Sequence, residues 1–494
     1  MKRLLTGLAG ILFFFSYSFG QDEVDALRYS QNHIIGTARS AAMAGAFGAL
    51  GADFSALSTN PAGIGMYRSS EFIITPQLYF SNTGATYNGT YRDDVDENFN
   101  FSNLGMVLTE EIPNRLDKPG WRFMQFGVGI NRLNNFNERI MIQGVNEQNS
   151  RADVYARLAD GIPPGQLSDN PFDLEPAWNS FAIDLSDSVN NLYRSYAPEG
   201  PVNQKDFIES WGSMNEILIS MGANYNDRLY VGASVGFPYI RYHQQRTYTE
   251  TKTEESAVVD EFREYTVEEE LFTTGTGFNF KVGAIYKPIN WLRIGAAVHT
   301  PTYFTNLTDE WDISMETRFD LPDSQGNYDY YDSSPLGTFD YNLRTPLKAQ
   351  GNLAFIIGTY GLFSIDYEYL DYATARFRAP RYDFETENQS IQNKYQATHN
   401  FRFGTEWRYT NFSFRGGFAM YQSPYANDIN DGARTSLSFG VGYGFKNAFV
   451  DLAWVNTSSE EDYYMYGIKD AVEVNPAMIE KNKNRFLATI GFRF

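Results

Sequence analysis

The sequence predicts an all-β protein: a transmembrane, antiparallel, up-and-down β-barrel of about 14 strands whose lumen is plugged by an N-terminal hatch. Three observations predict it. The chain opens on an export signal, its later segments alternate apolar and polar residues over the length of a tilted barrel strand, and it ends on an aromatic strand whose last residue is Phe494.

The export signal comes first. Lys2 and Arg3 form a basic start, Leu4 to Phe15 is apolar, and small Ser18 and Gly20 suit cleavage before Gln21. Residues 1–20 are therefore expected to be a signal peptide, because the apolar run is too short to span a bilayer comfortably. No later run approaches about twenty apolar residues, so no helical span is expected.

Composition narrows the function classes. A mean hydropathy of −0.41 does not suit a bundle of membrane helices, whereas 34 Tyr and 39 Phe suit rings placed at two membrane interfaces. The 41 Gly permit close backbone approach and curvature within strands. A net charge of −20 repels phosphate, so no nucleic-acid partner is expected. Cysteine is absent, which excludes disulfides, thiolate catalysis, Cys-based zinc and a lipid-bearing N-terminal Cys.

The strands read with a period of two. In the last one Phe486, Ala488, Ile490, Phe492 and Phe494 share a face opposite Arg485, Leu487, Thr489, Gly491 and Arg493. Upstream, Phe401, Phe403, Trp407 and Tyr409 oppose Arg402, Gly404, Glu406 and Arg408, and Phe278, Phe280, Val282 and Tyr286 oppose Asn279, Lys281 and Gly283. One face suits lipid and the other a wet or polar-filled lumen. The terminal aromatic strand also marks the chain as a client of the barrel assembly machinery.

Connections alternate in length. Tight turns are expected at Asn226-Asp227, Pro288 to Asn290, Thr359-Tyr360, Thr410-Asn411 and Lys446-Asn447. Long polar stretches at 144–213, 248–271, 318–340, 380–396, 423–432 and 459–482 read as external loops, the first partly helical. Acidic clusters at Asp93–Glu97, Glu254–Glu270 and Glu460–Asp462 are expected in loops as solvated faces. The barrel is assigned to 71–494, with both of its ends on the periplasmic side.

Residues 21–70 differ in kind. Gln31 to Arg68 is rich in Ala, Gly, Ser and Met without strand alternation, and reads as a compact plug inside a polar lumen. Its residues carry a resemblance. Gly36-Thr37-Ala38-Arg39, Ala44-Gly45-Ala46, Asp53 and the run Ser58 to Tyr67 containing Asn60-Pro61-Ala62-Gly63 resemble the hatch of FadL/TodX-type outer-membrane transporters. Gly275 to Pro288, Leu292 to Gly295 and His299-Thr300-Pro301 are similar to that family's central hairpin. Ala26 to Ser30 resembles its Bacteroidetes members.

The resemblance implies an outer-membrane transporter for long-chain fatty acids or other small hydrophobic molecules, working by hatch-gated lateral diffusion. It implies a monomer in contact with outer-membrane lipid, with no cofactor, no metal and no enzymatic step. Asn60, Pro61, Ala62 and Gly63 are the expected hatch turn, since Asn-Pro favours a turn and Pro fixes its own φ. Asn131, Asn134, Asn135, Phe136 and Asn137 fall where the family's third strand kinks inward and are the candidate lateral gate, with an ordinary rim bend as the alternative.

Other readings stay open at this point. Loop-mediated protein binding, as in a secretion shuttle, is one, and a haem-related receptor using His33 is another. Gly232-Ala233-Ser234-Val235-Gly236 matches a nucleophile-elbow pattern but sits mid-strand, whereas an elbow needs a strand–turn–helix; a barrel phospholipase using nearby His243 is the remaining enzyme reading. Lys281, Arg293, Glu406, Arg408 and Arg415 could grip a carboxylate or pair with one another and the plug.

Overall fold

Segments that alternate apolar and polar residues can satisfy every backbone group within a membrane only as strands of a closed sheet. In the computed structural model, which describes residues 22–31, 33, 36–113, 119–197, 201–254, 262–427, 429–467, 472 and 474–494, fourteen antiparallel strands close such a sheet. The expected signal peptide lies outside the described residues.

The first half of the wall comprises β1 (Glu71–Tyr87), β2 (Thr90–Glu111), β3 in two pieces (Trp121–Asn135 and Glu138–Asn146), β4 (Val202–Tyr225), β5 (Leu229–Lys252) and β6 (Phe262–Ile289). Then come β7 in two pieces (Leu292–His299 and Tyr303–Phe319), β8 in two pieces (Gly337–Arg344 and Lys348–Ile357) and β9 (Gly361–Asp371). The last five are β10 (Ala397–Tyr409), β11 (Phe412–Tyr421), β12 (Arg434–Gly444), β13 (Ala448–Tyr463) and β14 (Ala477–Arg493). β14 returns to β1 from Glu71↔Arg493 to Thr86↔Met478 and closes the barrel.

The faces follow the alternation. Phe486, Ile490 and Phe492 stand outside while Arg485, Leu487 and Thr489 are buried in the lumen. Phe401, Phe403 and Trp407 likewise face outward, with Arg402 and Glu406 behind them. The barrel's two ends lie side by side, the Ser70 N–H donating to the Phe494 carbonyl at 3.1 Å.

Several loop assignments need correction. The external link between β1 and β2 is only Asn88-Gly89, both with left-handed φ (45° and 81°), as a tight hairpin turn requires. Asp93–Glu97 therefore belongs to β2, paired with β1 through Tyr87↔Thr90. β4 begins at Val202, β5 runs to Lys252, β6 begins at Phe262, and Glu460–Asp462 ends β13. The cause is common to all. Above the membrane both faces of a strand meet polar surroundings, so the alternation fades while the ladder of backbone bonds continues.

The long link after β3 holds α3 (Arg151–Ala159), α4 (Leu174–Asn179) and a small hairpin (Ile183–Asp187 with Leu192–Ser195). Ala152, Tyr155 and Ala156 of α3 pack with Tyr87, Ile142, Tyr248, Tyr265 and Met315 of the strand extensions. Arg151 pairs with Glu269, and Arg246 bridges Glu269 and Asp206 at 3.1 and 2.7 Å. These segments form a packed cap on the external side.

The hatch fills the rest of the lumen. α1 (Glu23–Ser30) starts from a capping box between Asp22 and Asp25, and its Leu27 and Tyr29 pack on Phe136, Tyr242, Phe304 and Tyr341. α1 also reaches α5 (Glu385–Lys394) in the external β9–β10 link, where Tyr395 donates to the Glu23 carbonyl at 3.0 Å. From there the chain descends through α2 (Ala38–Ala41) and two 3₁₀ turns, Phe54–Leu57 and Pro61–Met66. Luminal glycines let it sit against the wall: a Cβ on Gly417 would lie 2.3 Å from the Met43 carbonyl carbon, and one on Gly232 would lie 2.2 Å from the Pro61 oxygen.

Candidate functional site

The wall is interrupted at one level between β2 and β3. These strands pair from Glu111↔Phe123 to Asn103↔Asn131 and no further. On β2, Ser102 is the bulged residue, since Thr75 faces Asn103 while Pro76 faces Phe101. A bulge bends its strand and re-aims one side chain, here into the lumen. On β3 the register against β4 slips between Arg132 and Asn134, and the strand stops at Asn135.

Local chemistry explains the stop. The Asn134 carboxamide accepts the Asn135 N–H at 2.8 Å and that of Asn135 accepts the Asn137 N–H at 3.2 Å. Side-chain amides thus take over donors that a straight ladder would use. Phe136 turns inward and is buried. The outer piece of β3 then pairs only with β4 and lies beneath the β1–β2 hairpin, where Asn88 donates to the Val145 carbonyl at 2.9 Å and Arg92 to Gln143 at 3.0 Å.

The hatch grips both rims of the resulting gap. The His33 N–H donates to the Leu133 carbonyl at 3.3 Å on the β3 side. On the β2 side the Gly36 N–H donates to Ser102 Oγ at 3.1 Å, and that hydroxyl donates back to the Gly36 carbonyl at 2.6 Å. Asn131 Nδ2 donates to Ser58 Oγ at 2.6 Å. The five residues of the expected kink are therefore brought together at the gap.

The expected hatch turn lies elsewhere. Asn60 caps the Pro61–Met66 turn through the Ala62 N–H (3.1 Å) and donates to the Gly48 carbonyl at 2.8 Å. Asn60, Pro61, Ala62 and Gly63 are fully buried, pressed against the β5–β6 wall at Gly232 and Gly283. They anchor the hatch, while the residues bridging the gap are His33, Gly36 and Ser58. From sequence, Gly36 and Ser58 read only as hatch residues and His33 as a haem candidate, with no role at the gap, and Ser102 carries no expectation. One signal for Ser102 does exist: the outward residues of β2 change phase from Phe99 and Phe101 to Leu104 and Leu108.

Behind the gap lies a cavity of about 110 Å³ bounded by Tyr29, His33 and Ser58 of the hatch, Arg132 of β3, and Lys281 and His299 of the wall. Its charges are mostly paired. Lys281 meets Glu216, and Glu368 meets Arg402 at 3.2 Å and Lys348 at 3.4 Å. Arg132 has no carboxylate partner among the described residues, and its buried Nε has no hydrogen bond.

The remaining luminal charges hold the plug. Glu406 bonds Arg39 of α2 at 2.9 Å and Arg415 at 2.7 Å, Arg415 continues to Asp451 at 2.6 Å, and Arg293 donates to the Leu50 carbonyl at 2.6 Å. Of the residues that could suggest catalysis, Ser234 faces the lumen and shares a hydrogen bond with Ser220 at 2.6 Å, whereas His243 lies on the opposite face of β5 beside Glu270. His33 Nδ1 faces the Arg434 guanidinium at 3.1 Å. Burial, then the charges of Arg434, Lys483 and Arg485, hold this imidazole well below its usual range, and the Arg434 contact occupies one nitrogen a haem iron could use.

No family model and no curated protein matches the chain. Solved structures do. A Pseudomonas aeruginosa FadL homologue aligns with a TM-score of 0.56 at 12% identity, over 94% of this chain and 100% of that one. The Ralstonia pickettii toluene transporter TbuX gives 0.52 at 15% identity, over 95% and 100%. The CymD monoaromatic hydrocarbon channel gives 0.51 at 13%, over 94% and 99%. At these identities the likeness is one of fold: the chain has the plugged fourteen-stranded architecture of FadL/TodX-type barrels.

Proposed function

We propose that this chain is a monomeric outer-membrane transporter that takes up small hydrophobic molecules, long-chain fatty acids among them, and releases them sideways through the β2–β3 gap. The carrying observation is the end of pairing at Asn103↔Asn131 together with a hatch bonded to both rims. An apolar molecule gains nothing by crossing a watery lumen, and a lateral passage delivers it to lipid directly. A closed polypeptide wall with an apolar outer belt suits a barrel inserted by the assembly machinery and working alone in lipid.

The conformation described is a closed one. A cavity of about 110 Å³ is smaller than the ~150 Å³ that holds a benzene in an engineered protein core. A long alkyl chain therefore needs α1, or the contacts of His33 and Gly36 with the rims, to give way. Asn131 and Ser58 mark the contact that must part. Because the chain has no cysteine, Asn131→Cys with Ser58→Cys tests this directly in intact cells. Oxidation is expected to abolish uptake of a labelled fatty acid or monoaromatic compound, and reduction to restore it. Uptake unaffected by a fully formed disulfide would refute the gated passage, and unchanged uptake of every apolar compound on deletion of the gene would refute transport itself.

A further inference from the structure

The inner rim of the gap is made of carboxamides. Gln77 on β1 faces Asn100 on β2, and Asn103 lies between Thr75 and Asn131 in the ladder. Asn135 continues the row on β3. All five side chains are more than nine-tenths buried. Seven of their polar atoms have no hydrogen-bond partner: both of Gln77, both of Asn103, Oδ1 of Asn100 and Asn131, and Nδ2 of Asn135. Arg132 adds an unpartnered Nε beside them.

A wall built only to pass hydrocarbon has no use for this row. A hydrocarbon crossing the rim returns no hydrogen bond to these groups, and any water there is displaced without replacement. A substrate carrying a hydroxyl or carboxyl group satisfies several of them as it passes. Sites built to bond a polar group reject the analogue that lacks it far more strongly than apolar pockets reject a size change.

We infer that the rim formed by Gln77, Asn100, Asn103, Asn131 and Asn135 selects amphiphiles, meaning an apolar body with a hydrogen-bonding head, over unsubstituted hydrocarbons. The inference rests on the proposed lateral passage and names the substrate class that this passage admits. The head is an alcohol or an acid, and Arg132 favours the acid.

A matched series tests it on the purified full-length barrel: labelled dodecane, 1-dodecanol and dodecanoic acid, with empty micelles as the blank. The alcohol and the acid are expected to bind at least about tenfold more tightly than the hydrocarbon. Asn103→Leu with Asn131→Leu should shrink that preference to within about twofold, while Asn103→Gln should retain it. Arg132→Gln should weaken the acid and spare the alcohol. Dodecane binding as tightly as dodecanol to the unmodified barrel overturns the inference and leaves transport standing, whether or not the leucine variant folds. Failure of all three to bind, or to be taken up by cells, overturns the transport reading and this inference with it.

Discussion

Glu138, the first residue of the outer piece of β3, is bonded to Lys481 of β14 at 2.7 Å. Its second oxygen meets Lys483 at 2.8 Å. This contact reaches past β1 and β2, the strands that separate β3 from β14 in the wall, and so pins the inward half of β3 inside the lumen. Removing one member of a buried ion pair strands the other, at a cost of about 3–5 kcal/mol. Glu138→Gln is expected to lower the temperature at which the folded band is lost in heat-modifiability electrophoresis. Glu138→Leu with Lys481→Met should recover most of the loss.

The hatch anchor should show a marked asymmetry. Glu406 answers Arg39, Arg408 and Arg415 at once. Glu406→Ala leaves three guanidinium groups facing one another and is expected to free the hatch, at about 3–5 kcal/mol. Arg39→Ala leaves Glu406 still paired and should cost about 1–2 kcal/mol. Protease sensitivity of residues 36–66 in the purified barrel, measured against denaturant, separates the two.

At Gly417 the wall lies directly against the backbone of the hatch. A Cβ there would meet the Met43 carbonyl carbon at 2.3 Å and the Ala44 nitrogen at 2.4 Å, both backbone. Gly417→Ala should displace the hatch by overpacking, at about 1–3 kcal/mol, and raise conductance in planar bilayers. Gly351→Ala, with no atom within 4 Å of the added carbon, is the control and should leave conductance unchanged.

The cap should respond to pH through Asp173, which accepts the first N–H of α4 from Leu174 at 2.6 Å. Burial pushes its carboxyl up to about 6 from 3.8, against the opposing pull of that hydrogen bond. The folded cap therefore prefers the protonated acid. That stabilising contribution is full below about pH 4 and is lost as pH rises through about 6. Proteolysis of the 147–201 link should accelerate between pH 4 and 7 in the unmodified protein, and Asp173→Asn should flatten the profile over that window.

Strand faces were legible because lipid and lumen impose opposite chemistry on alternate residues of β10 or β14. The strand extensions were not, because around Asp93–Glu97 both faces are polar. The Asn88-Gly89 turn was nonetheless present as one of the strongest short hairpin signals. The β3 side of the gap could be read from its Asn-rich break at 131–137. The β2 side shows only as a phase slip after Phe101. The bridging role of His33 and Gly36 has no local signature at all, since their partners Leu133 and Ser102 are distant in sequence.

The lateral passage is tested most directly by mapping where a transported molecule touches the chain. Intact cells would take up a dodecanoic acid bearing a photoreactive diazirine, and cross-linked peptides would be identified by mass spectrometry. Adducts are expected at 99–103 and 131–137, on the two rims of the gap, and on the hatch near Tyr29 and His33. Adducts confined to an axial route, running from the 147–201 cap to the Asn60–Gly63 turn with none on either rim, would contradict it.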